Sequence, residues 1–260
     1  MKFDSNLAWK QATSLVAANR ELLLTLAGVF FFLPSFALTM LIAPPEVRPG
    51  ATPEQMAAML EPFLAAIAPW AIIGSVIQGL GQLAVLDLLG RGGRPTVGEA
   101  LRKALAGLAG FIAVQLLLGF MMFSVFILVA AVGSLASPVL GFALAIYCAC
   151  LVYGRFLVAG AVIVMEQRRN PFAILARAAA LGRGNGWRIG NFVFLLLMAF
   201  FVGFMVLSII IGMIAAVTLG QGRLAEIVAG FFSSAASAIA VACFAAIVTA
   251  TYRQLAGGSR

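Results

Sequence analysis

Over most of this chain the apolar residues neither alternate nor recur every third or fourth position; they run on without interruption. Stretches in which almost every residue is Leu, Ala, Val, Ile, Phe or Gly are separated by short segments that hold most of the charge. A helix needs about 20 apolar residues to cross the hydrocarbon core of a bilayer. The chain offers six such runs, at about 22–43, 69–89, 107–132, 139–165, 190–217 and 224–252. Several exceed the minimum, which implies tilted helices or ends that protrude into the interface. The expected fold is all-α, a polytopic transmembrane bundle of about six helices forming one integral membrane domain over residues 1–260.

Between the runs the pattern changes to a helical period. After Thr96, the residues Val97, Leu101, Ala104, Leu105 and Leu108 share one face, while Glu99, Arg102 and Lys103 lie opposite. Thr96 and Glu99 form the T-x-x-E spacing of a capping box. In NPFAILARAAAL, Asn170 suits a helix cap and Pro171 the first helical position. Ile174, Leu175, Ala178 and Leu181 then cluster against Arg169, Ala173, Arg177 and Ala180, and Gly182, Gly184 and Gly186 stop the helix. Near the N-terminus Ala8, Trp9, Ala12, Leu15 and Val16 oppose Lys10, Thr13, Ser14 and Arg20, with a cap near Asn6. Three amphipathic interfacial helices, at about 5–20, 96–106 and 170–181, are therefore expected on one side, ahead of the first, third and fifth spans. Such helices suit an interface, with apolar faces at the acyl boundary and cations among anionic headgroups. The plainer alternative is a set of loops whose arginines only set orientation. The first loop on the other side, APPEVRPGATPEQMAAMLEPFLAAIAPW, predicts a short helix near 52–66 between proline-rich ends, with Glu46, Glu54 and Glu61 against Arg48.

Composition supports the membrane assignment. The chain has 260 residues, 63% hydrophobic and 10% charged, and a mean hydropathy of +1.09, so it cannot cover a water-facing surface. The net charge of +8 would point to nucleic acid in a soluble domain. Here basic loops explain it, and no nucleic-acid partner is expected. Fourteen of the Lys and Arg residues fall in segments on one side of six spans, only Arg48 and Arg223 on the other, and Arg155 within a run. That asymmetry orients both termini to the cytoplasm. The first apolar run follows no cleavage pattern and is expected to stay as a span.

Chemistry is harder to find. The chain has no histidine, which removes imidazole bases and His-ligated metals, and its three cysteines lie inside apolar runs as small hydrophobes. No carboxylate pair, phosphate-cradling loop or nucleophile–base set is visible, so the expectation is a non-enzyme with no cofactor and no metal site. Arg155, about 15 Å from the end of the fourth span, would be costly there. It would either meet a lipid phosphate or anionic solute in the bundle interior, or pair with a carbonyl or acid or snorkel as a structural residue. Candidate contacts for lipid or anion are Arg155, Arg169, Arg177, Arg183, Arg188, Arg102 and Lys103. Asp87 suits a local ion pair with Arg91 or a coupling role, and Glu166 ends the fourth span. Ser75, Gln78, Gln82 and Gln115 form an intramembrane polar strip that serves either helix packing or a translocation path. Gly230, Ser234 and Ala238 give the sixth span a face for close approach, and Pro34 should kink the first.

The segments LAGVFFFLPSF and EQRRNPFAILARAAALGRGNGWRI resemble the membrane domain of bacterial glycerophosphoryl diester phosphodiesterases and related stand-alone inner-membrane proteins of unknown function. The resemblance covers most of the chain and departs at Ala178-Ala179, where Ser-Trp would be expected. It implies a module of the bacterial cytoplasmic (inner) membrane, without the soluble domain that carries phosphodiesterase activity. Two functions follow as expectations. One is a non-catalytic protein that binds or organises membrane lipids or supports a membrane partner, another copy of itself included. The alternative is a secondary transporter or permease for a small anionic or amphiphilic solute.

Overall fold

Asp4 starts the helical chain. Its carboxylate accepts the backbone N–H groups of Asn6 at 2.9 Å and Leu7 at 3.1 Å and so caps α1, Ser5–Ala18. The cap falls two residues before the expected Asn6, because a carboxylate both accepts the freed N–H groups and meets the positive end of the helix dipole. The computed structural model describes residues 2–41, 52–90, 96–220 and 222–257. Pro44, Pro45, Glu46, Arg48, Arg91, Arg94 and Arg260 therefore lie outside the described residues.

The first span is α2, Arg20–Ala27, a π-helical turn, Gly28–Phe32, and α3, Leu33–Leu41. Pro34 has no N–H to donate and its ring crowds the turn before it. The wider π turn, in which the Leu33 N–H reaches the Gly28 carbonyl, lies immediately upstream and accommodates it. Next come α4, Pro53–Gly90, and α5, Val97–Ser134. The fourth span is α6, Pro138–Phe156, followed by α7, Ala159–Met165; then come α8, Pro171–Leu181, α9, Gly186–Leu219, and α10, Arg223–Gly257. Among the described residues there is no strand, and six stretches are long and apolar enough to cross a membrane. The chain is an all-α bundle with the spans of a multi-pass membrane protein.

Three expected boundaries differ. The short helix near 52–66 is the start of α4, not a separate element. Thr52 and Gln55 cap it reciprocally, Thr52 Oγ1 accepting the Gln55 N–H at 3.3 Å and Gln55 Oε1 accepting the Thr52 N–H at 3.1 Å. The helix then continues through Pro62 and Pro69, which are spaced two turns apart and so share one face. The amphipathic stretch 96–106 likewise runs straight into the third span as the first turns of α5, capped by Thr96 Oγ1 on the Glu99 N–H at 3.3 Å. Gly107 and Gly110 serve close packing there and do not stop the helix. Both helices have 38 residues, about 57 Å, against a hydrocarbon core of about 30 Å. The third difference is a break in the fourth span at Leu157–Val158.

The packed core lies towards the end of the bundle that carries α1 and α8, the basic end. Every residue from Leu83 to Leu89 on α4 and from Ala245 to Thr251 on α10 is buried, so both helix ends are enclosed on all sides. α7 fills the space between α4, α5 and α8, with Ala159 and Ala161–Val164 buried. α10 is central, as its small residues predict: Ser234 and Ala238 are buried and Gly230 abuts Thr39 of α3. At the opposite end the helices carry apolar side chains exposed on every face, Phe201 through Leu207 on α9 among them.

Candidate functional site: a basic pocket at one end of the bundle

The site is built where α5 meets the connection from α7 to α8. On α5, Ala100, Ala104, Gly107 and Phe111 form the buried face, which leaves Arg102 exposed and Lys103 half-buried at its edge. Two glycines bring the neighbouring chain close. A Cβ on Gly107 would lie 2.7 Å from Ile163 of α7, and one on Gly110 would lie 2.9 Å from the Arg169 carbonyl oxygen. The connection therefore packs directly against α5.

That connection turns sharply. Gln167 has φ of 53°, the one left-handed residue other than glycine among those described. Such a conformation costs about 1–3 kcal/mol and persists only where the surroundings impose it. Glu166, just before it, anchors the turn. Arg177 Nε of α8 donates to Glu166 Oε1 at 2.8 Å and Oε2 at 3.1 Å, Arg168 Nε donates to Oε2 at 2.9 Å, and the Tyr252 hydroxyl of α10 donates to Oε1 at 3.3 Å. Burial pushes this carboxyl up, but hydrogen bonds from Arg177 and Arg168, with their charges, outweigh it and hold the group below its usual value of 4.5. Glu166 thus fixes α8 and the α7–α8 connection to α10, a larger role than ending a span.

α8 begins as its residues predict. Asn170 Oδ1 accepts the Phe172 N–H at 3.0 Å and the Ala173 N–H at 3.4 Å, and Pro171 occupies the first position. Its apolar side is covered by the protein: Ile174, Ala178 and Leu181 are buried beside α5, α6 and α7. α1 behaves alike, burying Ala8 and Ala12 beside α10, while Trp9, expected on that face, is exposed. The apolar faces of both helices are directed to the bundle rather than outward.

The result is a pocket of about 250 Å³ whose lining is part polar, from Arg102, Lys103, Gln167, Arg168 and Arg169, and part apolar, from Ala106, Gly107, Ile163 and Val164. No acid lines it among the described residues, and only Arg168 of its cations has an ion pair there.

Of the contacts expected from sequence, the fold brings Arg102, Lys103 and Arg169 into this pocket and adds Gln167 and Arg168. Arg177 is half-buried against Glu166 and does not line it. Arg155, Arg183 and Arg188 stand elsewhere, all exposed, on the α6–α9 edge. Arg155 lies within the fourth span, Pro138–Met165, where α6 ends one residue later; Gly154 packs backbone-to-backbone on Gly190 near the start of α9, and a Cβ on Gly182 would lie 3.2 Å from the Arg155 carbonyl. The exposed Trp187 lies on the same edge. Asp87 is fully buried at the end of α4. The polar strip divides. Gln78 donates to Ser35 of α3 at 3.3 Å, Ser75 turns back to the Ile72 carbonyl of its own helix at 2.8 Å, Gln82 is half-buried, and Gln115 is exposed on α5.

The class these features define is a multi-pass α-helical membrane protein with a cationic recess at one end. No family model, curated protein or solved structure matches the chain.

Proposed function

We propose that this chain is a non-catalytic membrane protein that binds anionic lipid at its basic end. The observation that carries the reading is the pocket between α5 and the α7–α8 connection. Arg102, Lys103 and Arg169 meet there with no acid among the described lining residues, beside the apolar lining of Ala106, Gly107, Ile163 and Val164. A lipid presents the complementary sequence of groups, a charged head followed by hydrocarbon. Each cation near an anionic headgroup contributes about 1 kcal/mol. The basic loops support an orientation with this end and both termini in the cytoplasm, and the resemblance noted above supports a bacterial inner membrane.

The test is native mass spectrometry of the detergent-purified protein and of the triple variant Arg102→Gln, Lys103→Gln, Arg169→Gln. Wild type should retain an anionic phospholipid and the variant should lose it. Equal retention by both, or retention of zwitterionic lipid alone, overturns the reading. A reporter fused to the C-terminus tests the orientation, and a periplasmic signal refutes it.

A further inference from the structure

The charge in the pocket exceeds what an ordinary phospholipid headgroup supplies. Arg102, Lys103 and Arg169 have no ion-pair partner among the described residues, whereas Arg168, the fourth cation, is matched by Glu166. A phosphodiester carries one negative charge on two free oxygens. It would leave two of these three cations uncompensated. A phosphomonoester carries about −1.5 to −2 charge near neutral pH and offers three terminal oxygens. The donors are correspondingly many, since each guanidinium has five N–H groups and the ammonium three, with the Gln167 amide beside them. Hydrogen bonds from such groups favour the doubly ionised form.

Geometry agrees with a small terminal group. The cavity is only about 250 Å³, Gly107 and Ala106 contribute little or no side chain to its lining, and the left-handed Gln167 leads into Arg168, which Glu166 restrains. Resting on the lipid-binding reading above, we infer that the pocket selects a phosphomonoester, a terminal phosphate on a glycerolipid, over phosphodiester headgroups. Arg102, Lys103 and Arg169 hold the phosphate; Arg168 closes the rim from its bond to Glu166.

The experiment compares the full chain, delipidated and reconstituted at pH 8, for uptake of phosphatidic acid, phosphatidylglycerol and phosphatidylcholine from vesicles matched in total surface charge. Phosphatidic acid should be preferred over phosphatidylglycerol by about fivefold, the ratio that one added charge interaction of ~1 kcal/mol supports. Arg102→Gln with Lys103→Gln should abolish the preference. These side chains lie at the edge of α5's buried face, and their loss should leave thermal stability unchanged. Arg183→Gln, away from the pocket, should retain the preference. Soluble glycerol 3-phosphate separates the sources: failure to displace the lipid at millimolar concentration supports the glycerolipid, and binding of glycerol 3-phosphate at least as tight as that of phosphatidic acid keeps the phosphomonoester chemistry but overturns the glycerolipid assignment. Equal uptake of phosphatidic acid and phosphatidylglycerol, each above phosphatidylcholine, overturns the inference and spares the anionic-lipid reading. Equal uptake of all three overturns both.

Discussion

Replacing Glu166 by Gln removes one negative charge from a site that joins three elements. Arg177, Arg168 and Tyr252 all donate to this carboxylate, and its side chain is only 17% exposed, against 35% for Arg177 and 46% for Arg168. Solvent-exposed pairs contribute about 0–1 kcal/mol, and breaking a buried pair costs about 3–5 kcal/mol. The geometry lies between these limits, so Glu166→Gln should cost about 2 kcal/mol, or about 4–8 °C in the apparent melting temperature of a chain this size. Thermal unfolding in detergent, followed by intrinsic fluorescence across a pH series, measures it. Since the folded carboxyl sits below 4.5, its contribution is complete above the unfolded value and is lost as pH falls through the folded one. The difference between wild type and variant should be constant from pH 6 to 8 and shrink below about pH 4.5. A variant that melts within 1 °C of wild type at pH 7, or a gap that widens in acid, would refute the account of this site.

Two further predictions concern packing and the chain ends. Gly154→Ala places its Cβ 2.5 Å from the Gly190 Cα, backbone against backbone, and should destabilise by about 1–3 kcal/mol as α6 and α9 are forced apart. Gly119→Ala, with nothing within 4 Å of the new atom, should instead stabilise by about 0.5–1 kcal/mol; comparing the two melting temperatures checks the pair. Asn185→Ala removes the acceptor of the buried Phe3 N–H, now bonded at 2.8 Å, and should speed limited proteolysis within the first helix while costing about 1–3 kcal/mol.

The span pattern was legible because six uninterrupted apolar runs admit little else, and the Asn170-Pro171 start of α8 because cap and first-turn chemistry are local. The break after Phe156 was not. No proline marks it, and Gly154 and Gly160 read like any small residues in a span, so the helix end one residue after Arg155 carried no local signal. The continuity of α4 was hidden by Pro62 and Pro69, which as local signals argue for a stop. Of the basic residues of the pocket, Arg102, Lys103 and Arg169 were each visible. Their meeting was not, because it depends on Gly107 and Gly110 admitting a connection about sixty residues further along the chain. Gln167 carried no signal, since glutamine has no preference of its own for the left-handed conformation it adopts.

α1 docks on α10, and Asp4 and Gln254 exchange hydrogen bonds at 3.4 and 3.3 Å across 250 positions. A ribosome delivers the first of these elements long before the second. Until α10 has been made, then, α1 lacks its main docking surface, and this contact forms only once that span is in place. Premature termination anywhere upstream should leave a chain whose opening segment stays accessible to quality-control proteases.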